Sequence, residues 1–117
     1  MSEKNMKYCL LLDFYGEVLS ESQREMMDLY YNEDFSLSEI ADEIGITRQG
    51  VRDAVRRAEE SLSSLEDKLG MIARFESLRA QRDDISRALR TCADNTADAA
   101  AKASIQTVIH KLQQLEI

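Results

Sequence analysis

Residues 36–58, SLSEIADEIGITRQGVRDAVRRA, constrain the chain more than any other stretch, because their start, stop and turn signals fit two short helices at a fixed offset. Ser36 and Glu39 stand three apart. At that spacing a serine hydroxyl and a glutamate carboxylate each satisfy a backbone N–H that the first turn would leave orphaned, so a helix is predicted from Leu37. Gly45, lacking a Cβ, can leave that helix through a left-handed conformation. Thr47 is placed to cap a second helix. Ala41 is small where the two helices would cross, and Ile40, Ile44, Ile46, Val51 and Val55 fall on inward positions, expected to form one small core. The unit reads as a helix-turn-helix.

The outward side of the second helix carries the functional reading. Arg48, Arg52 and Arg56 recur every four residues and share a face, with Gln49 and Asp53 beside them and Arg57 on the flank. Such a face fits a major groove: arginine can bond two acceptors on guanine, glutamine can bond adenine, and either can hold a phosphate instead. The competing reading is a solvated face whose arginines are salt-bridged to carboxylates such as Glu59 and Glu60. Thr47, Arg48, Gln49, Arg52, Asp53, Arg56 and Arg57 are therefore the candidate nucleic-acid contacts.

The charge distribution singles out the same segment. The net charge of −7 argues against indiscriminate coating of nucleic acid. Residues 1–47 hold three basic and eleven acidic side chains, residues 48–57 four and one, and residues 58–117 eight and ten. The candidate recognition helix is thus the one clearly basic stretch in an acidic chain, as expected if binding is confined to one face.

With 117 residues the chain suits one compact domain, or a small domain with an extended helical arm. It has no proline and only four glycines, a balance that favours long uninterrupted helices, so an all-α fold is expected. Cys9 and Cys92 lack any CxxC or Cys/His cluster and are expected to be buried thiols in a reducing cytoplasm, with no metal or other cofactor. The apolar run at residues 8–12 is too short for a signal core, and no segment is long enough to cross a membrane. No enzyme is expected: there is no nucleophile with a base beside it, no phosphate-cradling glycine loop and no HExxH. The pairs Asp83–Asp84 and Glu59–Glu60 are adjacent, so on a helix they diverge by about 100°.

Upstream, residues 4–19 are predicted to form the first helix, with Tyr8, Leu12, Tyr15 and Leu19 on one stripe and Leu11, Phe14 and Val18 widening it. Gly16 weakens that helix and suits a close neighbour. Ser20 with Gln23 makes a second capping box, starting a helix to about Tyr31 in which Met26, Met27, Leu29 and Tyr30 are candidate contacts. Residues 32–35 are the connecting turn. Read together, LSESQREMMDLYYNEDFSLSEIADEIGITRQGVRDAVRRAEESL resembles the fourth region of bacterial sigma factors, and with the preceding KYCLLLDFYGEVL it resembles the YlxM family of small helix-turn-helix proteins. The resemblance covers roughly residues 7–69. It implies an all-α protein encoded beside signal recognition particle components, acting as a regulator or accessory of that pathway. It also implies that Thr47, Arg48, Gln49, Arg52 and Arg56 face nucleic acid.

Beyond Ala58 the second helix is expected to continue, with Leu62, Leu65, Leu69 and Ile72 at alternating steps of three and four. Gly70 bends or ends it. Phe75, Leu78, Ile85, Leu89 and Cys92 resume a stripe shifted in phase, with Arg82 on it. Residues 91–103, TCADNTADAAAKA, read as a small, polar connection, with Asp94 or Asn95 capping a last helix whose apolar face is Ile105, Val108, Ile109, Leu112 and Leu115. His110 beside that face has no partner at ligand spacing. The expected organisation is a helix-turn-helix domain over residues 1–69 and a helical arm over residues 70–117 that serves for dimerisation. So short a chain cannot bury both stripes against itself; either the tail folds back on the first helix or two chains pack together, and symmetric pairing is the commonest solution. A homodimer would place two recognition helices on one duplex. Two functions remain: a DNA-binding regulator, and an accessory of the signal recognition particle that binds its protein or RNA.

Overall fold

The structure, a computed structural model, describes residues 4–117. It is all-helical, with α1 at Lys7–Tyr15, a 3₁₀ turn at Gly16–Val18, α2 at Glu21–Tyr31, α3 at Leu37–Ile44, α4 at Arg48–Leu69, α5 at Met71–Asn95 and α6 at Ala99–Gln113. The described residues include no strand, and none of their helices is long and apolar enough to cross a membrane. The chain divides into two compact units, one ending at Ile72 and the other Ala73–Ile117.

In the first unit, local chemistry sets the helix ends. Both capping boxes form: the Gln23 N–H donates to Ser20 Oγ at 3.1 Å, and the Glu39 N–H donates to Ser36 Oγ at 3.0 Å. Glu39 returns the bond, accepting from the Ser36 N–H at 2.8 Å, and this bond holds its carboxyl below the usual carboxylate range. α1 is shorter than its apolar pattern predicts. It stops at Tyr15, and the chain tightens into the 3₁₀ turn, which turns Val18 out to 65% exposure while Leu19 stays buried. Gly16 is buried, and a Cβ there would lie 3.1 Å from Cδ1 of Leu12, one turn back in α1, and 3.9 Å from Arg24 Cδ of α2.

One core joins α1 to α4. Leu11, Leu12, Tyr15, Leu19, Met26, Met27, Tyr31, Ile40, Ala41, Val51, Val55, Ala58, Leu62 and Ile72 form a single buried cluster. Burying such side chains stabilises by about 1.5–3 kcal/mol for each large aliphatic one. Tyr31 belongs to this core rather than to the surface. Its ring meets Tyr30 edge-on at 4.9 Å and Tyr8 at 5.8 Å, and its hydroxyl donates to Glu59. Burial, reinforced by that bond, pushes its phenol far up.

The α4–α5 junction is braced by side chains. Gly70, at φ +62°, ends α4, and its N–H returns to the Glu66 carbonyl at 2.8 Å. The first N–H groups of α5 would otherwise be orphaned. Met71 N–H donates to the Tyr15 hydroxyl at 3.2 Å, Ile72 N–H donates to Glu66 Oε1 at 3.0 Å, and the Tyr15 hydroxyl donates to the same carboxylate.

The second unit holds α6 antiparallel beside α5: Arg82, Ser86 and Arg90 share a cavity with Gln113, and Arg90, Ala93 and Asp94 share another with Gln106 and Ile109. Here two expectations fail. The helix runs through Cys92 to Asn95, so Asp94 and Asn95 lie inside α5, and Asp98 caps α6 by accepting from the Ala100 N–H at 3.0 Å. Cys92 is an exposed thiol, not a buried one, and Cys9 is half-buried.

Candidate nucleic-acid interface

The α3–α4 turn is built by two residues that leave little freedom. Gly45 takes φ +86°, and the N–H groups of Gly45 and Ile46 both return to the Ala41 carbonyl, at 2.9 and 3.2 Å. This closes α3 and redirects the chain within two residues. Thr47 then caps α4, its Oγ1 accepting from the Gly50 N–H at 2.9 Å. A Cβ on Gly50 would sit 3.1 Å from that oxygen and 3.6 Å from Ile46 Cδ1, so the glycine answers an internal contact. Ile40, Ala41, Val51 and Val55 are buried and Ile44 packs against them. Ile46 is exposed, contrary to its expected place in the core, because the left-handed glycine swings it past the end of α3.

Val51, Val55, Ala58 and Leu62 pin one side of α4 to the core. A quarter-turn round the same helix, Arg48, Arg52 and Arg56 form an exposed row, and Gln49 and Arg57 are exposed as well. Among the described residues, the three ion pairs are Lys4–Asp34, Arg82–Asp83 and Arg87–Asp84. The arginines of α4 therefore keep their guanidinium groups out of carboxylate pairs with the described residues, although Glu59 and Glu60 follow directly in the sequence. Glu59 accepts from Tyr31 instead. Asp53 is half-buried and accepts from Gln49 Nε2 at 3.0 Å. It thus holds the amide of the exposed Gln49 against the helix. Thr47 sits at the head of the row, its hydroxyl oxygen already engaged as the cap.

The packing behind the row reaches back to the chain's start. Lys4 Nζ donates to the Phe35 carbonyl at 2.8 Å and to Asp34 Oδ1 at 3.1 Å, and lies 4.0 Å from the centre of the Tyr30 ring. Asp34 itself takes φ +57° in the α2–α3 turn. Burial pushes the Tyr30 phenol up, Glu59 adds to that, and the Arg48 charge opposes both. Nothing in the sequence marks Lys4 as a candidate, since its partners lie about thirty residues away and no local spacing points to them.

The descriptions of related chains agree with this geometry. A family model described as "UPF0122: Putative helix-turn-helix protein, YlxM / p13 like" matches residues 2–114. The chain belongs to this family. A UPF0122 protein of Halalkalibacterium halodurans is 37% identical over 116 residues, covering 99% of this chain and all of its own. Another, from Thermoanaerobacter sp. (strain X514), is 35% identical over 108 residues and 92% of each chain. A third, from Desulforamulus reducens, is 48% identical over 69 residues and 59% of each chain. Among the described residues no three His, Cys, Asp or Glu side chains are grouped to hold a metal ion.

Proposed function

We propose that this UPF0122 protein is a DNA-binding regulator that lays α4 in the major groove as a homodimer, with Arg48, Gln49, Arg52 and Arg56 as the contacting residues. Thr47 would meet the backbone at the head of the helix, Asp53 orients Gln49, and Arg57 reaches a phosphate on the flank. The observation that carries the reading is the row of exposed arginines standing outside the ion pairs of the described residues. Guanidinium–carboxylate pairs within the chain would have to be broken before such groups could meet a phosphate; here that cost is absent. Arginines at the row's centre suit bidentate contacts to guanine, and those at its ends suit phosphate.

Selection of bound fragments from the organism's genome, followed by titration of the best duplex, tests this. Arg52→Ala is expected to weaken the selected duplex by about tenfold to a hundredfold. No enrichment of any fragment, or equal binding by Arg52→Ala, would sink the proposal. The resemblance to the YlxM family adds a link to the signal recognition particle. The small number of basic groups on the face, in a chain of net charge −7, suits an accessory that touches RNA or protein lightly. Retention of particle components on immobilised protein after Arg52→Ala would assign that role to a different surface.

A further inference from the structure

The α5–α6 unit has too little core for its length. Of its described side chains only Ser86, Ala93 and Ile109 are buried, and two of these are small. One buried isoleucine, with Phe75, Leu89, Ile105 and Leu112 half-buried, is a small core for a helical pair of this size. Its larger apolar residues are instead left in view: Leu78 is 40% exposed, Ile85 49%, Val108 46% and Leu115 51%.

These exposed residues lie on one side. Leu78, Ile85 and Cys92 recur at intervals of seven, as do Val108 and Leu115 and also the half-buried Ile105 and Leu112. At 100° per residue, with Ser86 and Ala93 marking the direction to α6, the α5 stripe lies roughly 80–120° round in one sense. With Ile109 marking the direction to α5, Ile105, Val108, Leu112 and Leu115 lie roughly 40–120° round α6 in one sense as well. The other sense is fixed independently. Asp83, Arg87 and Arg90 share a cavity with Gln113, so these polar residues occupy one side of the pair and both apolar stripes occupy the opposite side.

We propose that this apolar side is the dimer interface, and that two copies pack face to face as a four-helix bundle. The proposal rests on the pairing in the preceding reading and deepens it by assigning a surface. Three features favour a second copy as the occupant. Of the charged residues between Leu78 and Asn95 only Arg82 lies at the edge of the α5 stripe, bonded to Asp83 and to the Ile117 carbonyl, whereas the opposite side holds Asp83, Arg87, Arg90 and Asp94; depletion of charge at the centre is the mark of lasting, self-matching interfaces. The three-and-four spacing on both helices is the spacing that interdigitates in antiparallel bundles. About fifteen residues of each helix make a strip roughly 22 Å long and 20 Å wide. Two such strips, corrugated by side chains, bury about 1,000 Å² or more, which meets the need of a specific pair.

Sedimentation equilibrium of the full chain, without DNA, tests the surface. The expected wild-type species is a dimer at micromolar concentration. Ile85→Asp and Val108→Asp each bring two carboxylates into the interface and are expected to raise the dimer Kd about a hundredfold or more. Gln106→Glu, on the polar side, is expected to leave it unchanged. Because Ile85 and Val108 are already half exposed, retained far-UV CD separates lost pairing from lost folding. A second readout is Cys92, followed in a Cys9→Ser chain: its thiol is expected to react slowly with a disulfide reagent at high protein concentration and faster on dilution. A monomeric wild type, an Ile85→Asp chain that stays dimeric, or a Cys92 rate indifferent to dilution would each overturn the proposal. Arg52→Ala is expected to remain dimeric, so failure of DNA binding and failure of this interface give different results.

Discussion

The two units of this chain are helical for different reasons. The unit ending at Ile72 packs fourteen side chains from five helical elements into one cluster, with capping boxes starting α2 and α3 and left-handed glycines ending α3 and α4. The α5–α6 unit has long helices, high in alanine and arginine, that bury three side chains between them. In the first, tertiary packing fixes where each helix ends and hence where the arginine row points. In the second, few side chains are buried, and under the pairing proposed above a second copy completes the packing. The first unit should unfold at a midpoint set by its own core, and the second at one set by protein concentration.

The tyrosines make the contrast measurable, because all four lie in the first unit and the chain has no tryptophan. Tyrosine fluorescence therefore follows the first unit, and far-UV CD follows both. The largest effect is expected from Leu62→Ala, which empties a fully buried site and should cost about 2–5 kcal/mol in the fluorescence-detected urea transition. A loss below about 1 kcal/mol would mean that the cluster is not close-packed. Gly45→Ala should cost about 1–2 kcal/mol by the same probe, since φ +86° strains any residue with a Cβ. An unchanged midpoint would place the turn in another conformation. In the second unit the sign reverses. Ser86 Oγ is buried without a hydrogen-bond partner among the described residues, so Ser86→Ala should raise the far-UV CD transition by about 1 kcal/mol at fixed protein concentration. A destabilised Ser86→Ala would show that the hydroxyl is satisfied.

The smallest effect is on pH dependence. Tyr15 and Tyr31 have folded-state phenol pKa values raised above the ordinary value near 10, mainly by burial and then by their carboxylate partners. Their contribution is complete below about pH 10 and is lost as pH climbs beyond it, because the unfolded chain gives up those protons first. Alkaline titration should thus destabilise the first unit ahead of the second, and Tyr31→Phe should blunt that sensitivity. Equal loss by both probes would remove the distinction.

Much of the first unit is legible in the sequence because its signals are local. Ser20 with Gln23, Ser36 with Glu39, Thr47 and Gly45 act within four residues, and each does in the structure what its spacing predicts. The rest has two origins: partners far apart in sequence, and local changes of phase. No local spacing marks the bond from the Tyr31 hydroxyl to Glu59, 28 residues away. Lys4 braces a turn whose oxygens are about thirty residues off. Periodicity places Ile46 and Val18 inward, yet a left-handed glycine and a 3₁₀ turn rotate them out, and neither change of phase is written in the apolar pattern. In the second unit, residues 91–95 look like loop by their polarity but extend α5, since nothing there breaks a helix until after Asn95. The arginine row is recognisable from its spacing alone; that it escapes Glu59 and Glu60 is visible only in the structure, where Glu59 is bonded to Tyr31.

The salt dependence of duplex affinity tests the central claim about that row most directly. With about four arginines at phosphates and bases, the logarithm of the binding constant is expected to fall against the logarithm of salt with a slope of about −3 to −4, and Arg52→Ala should make it shallower by about one. An affinity that ignores salt, with the same slope for both proteins, would contradict it.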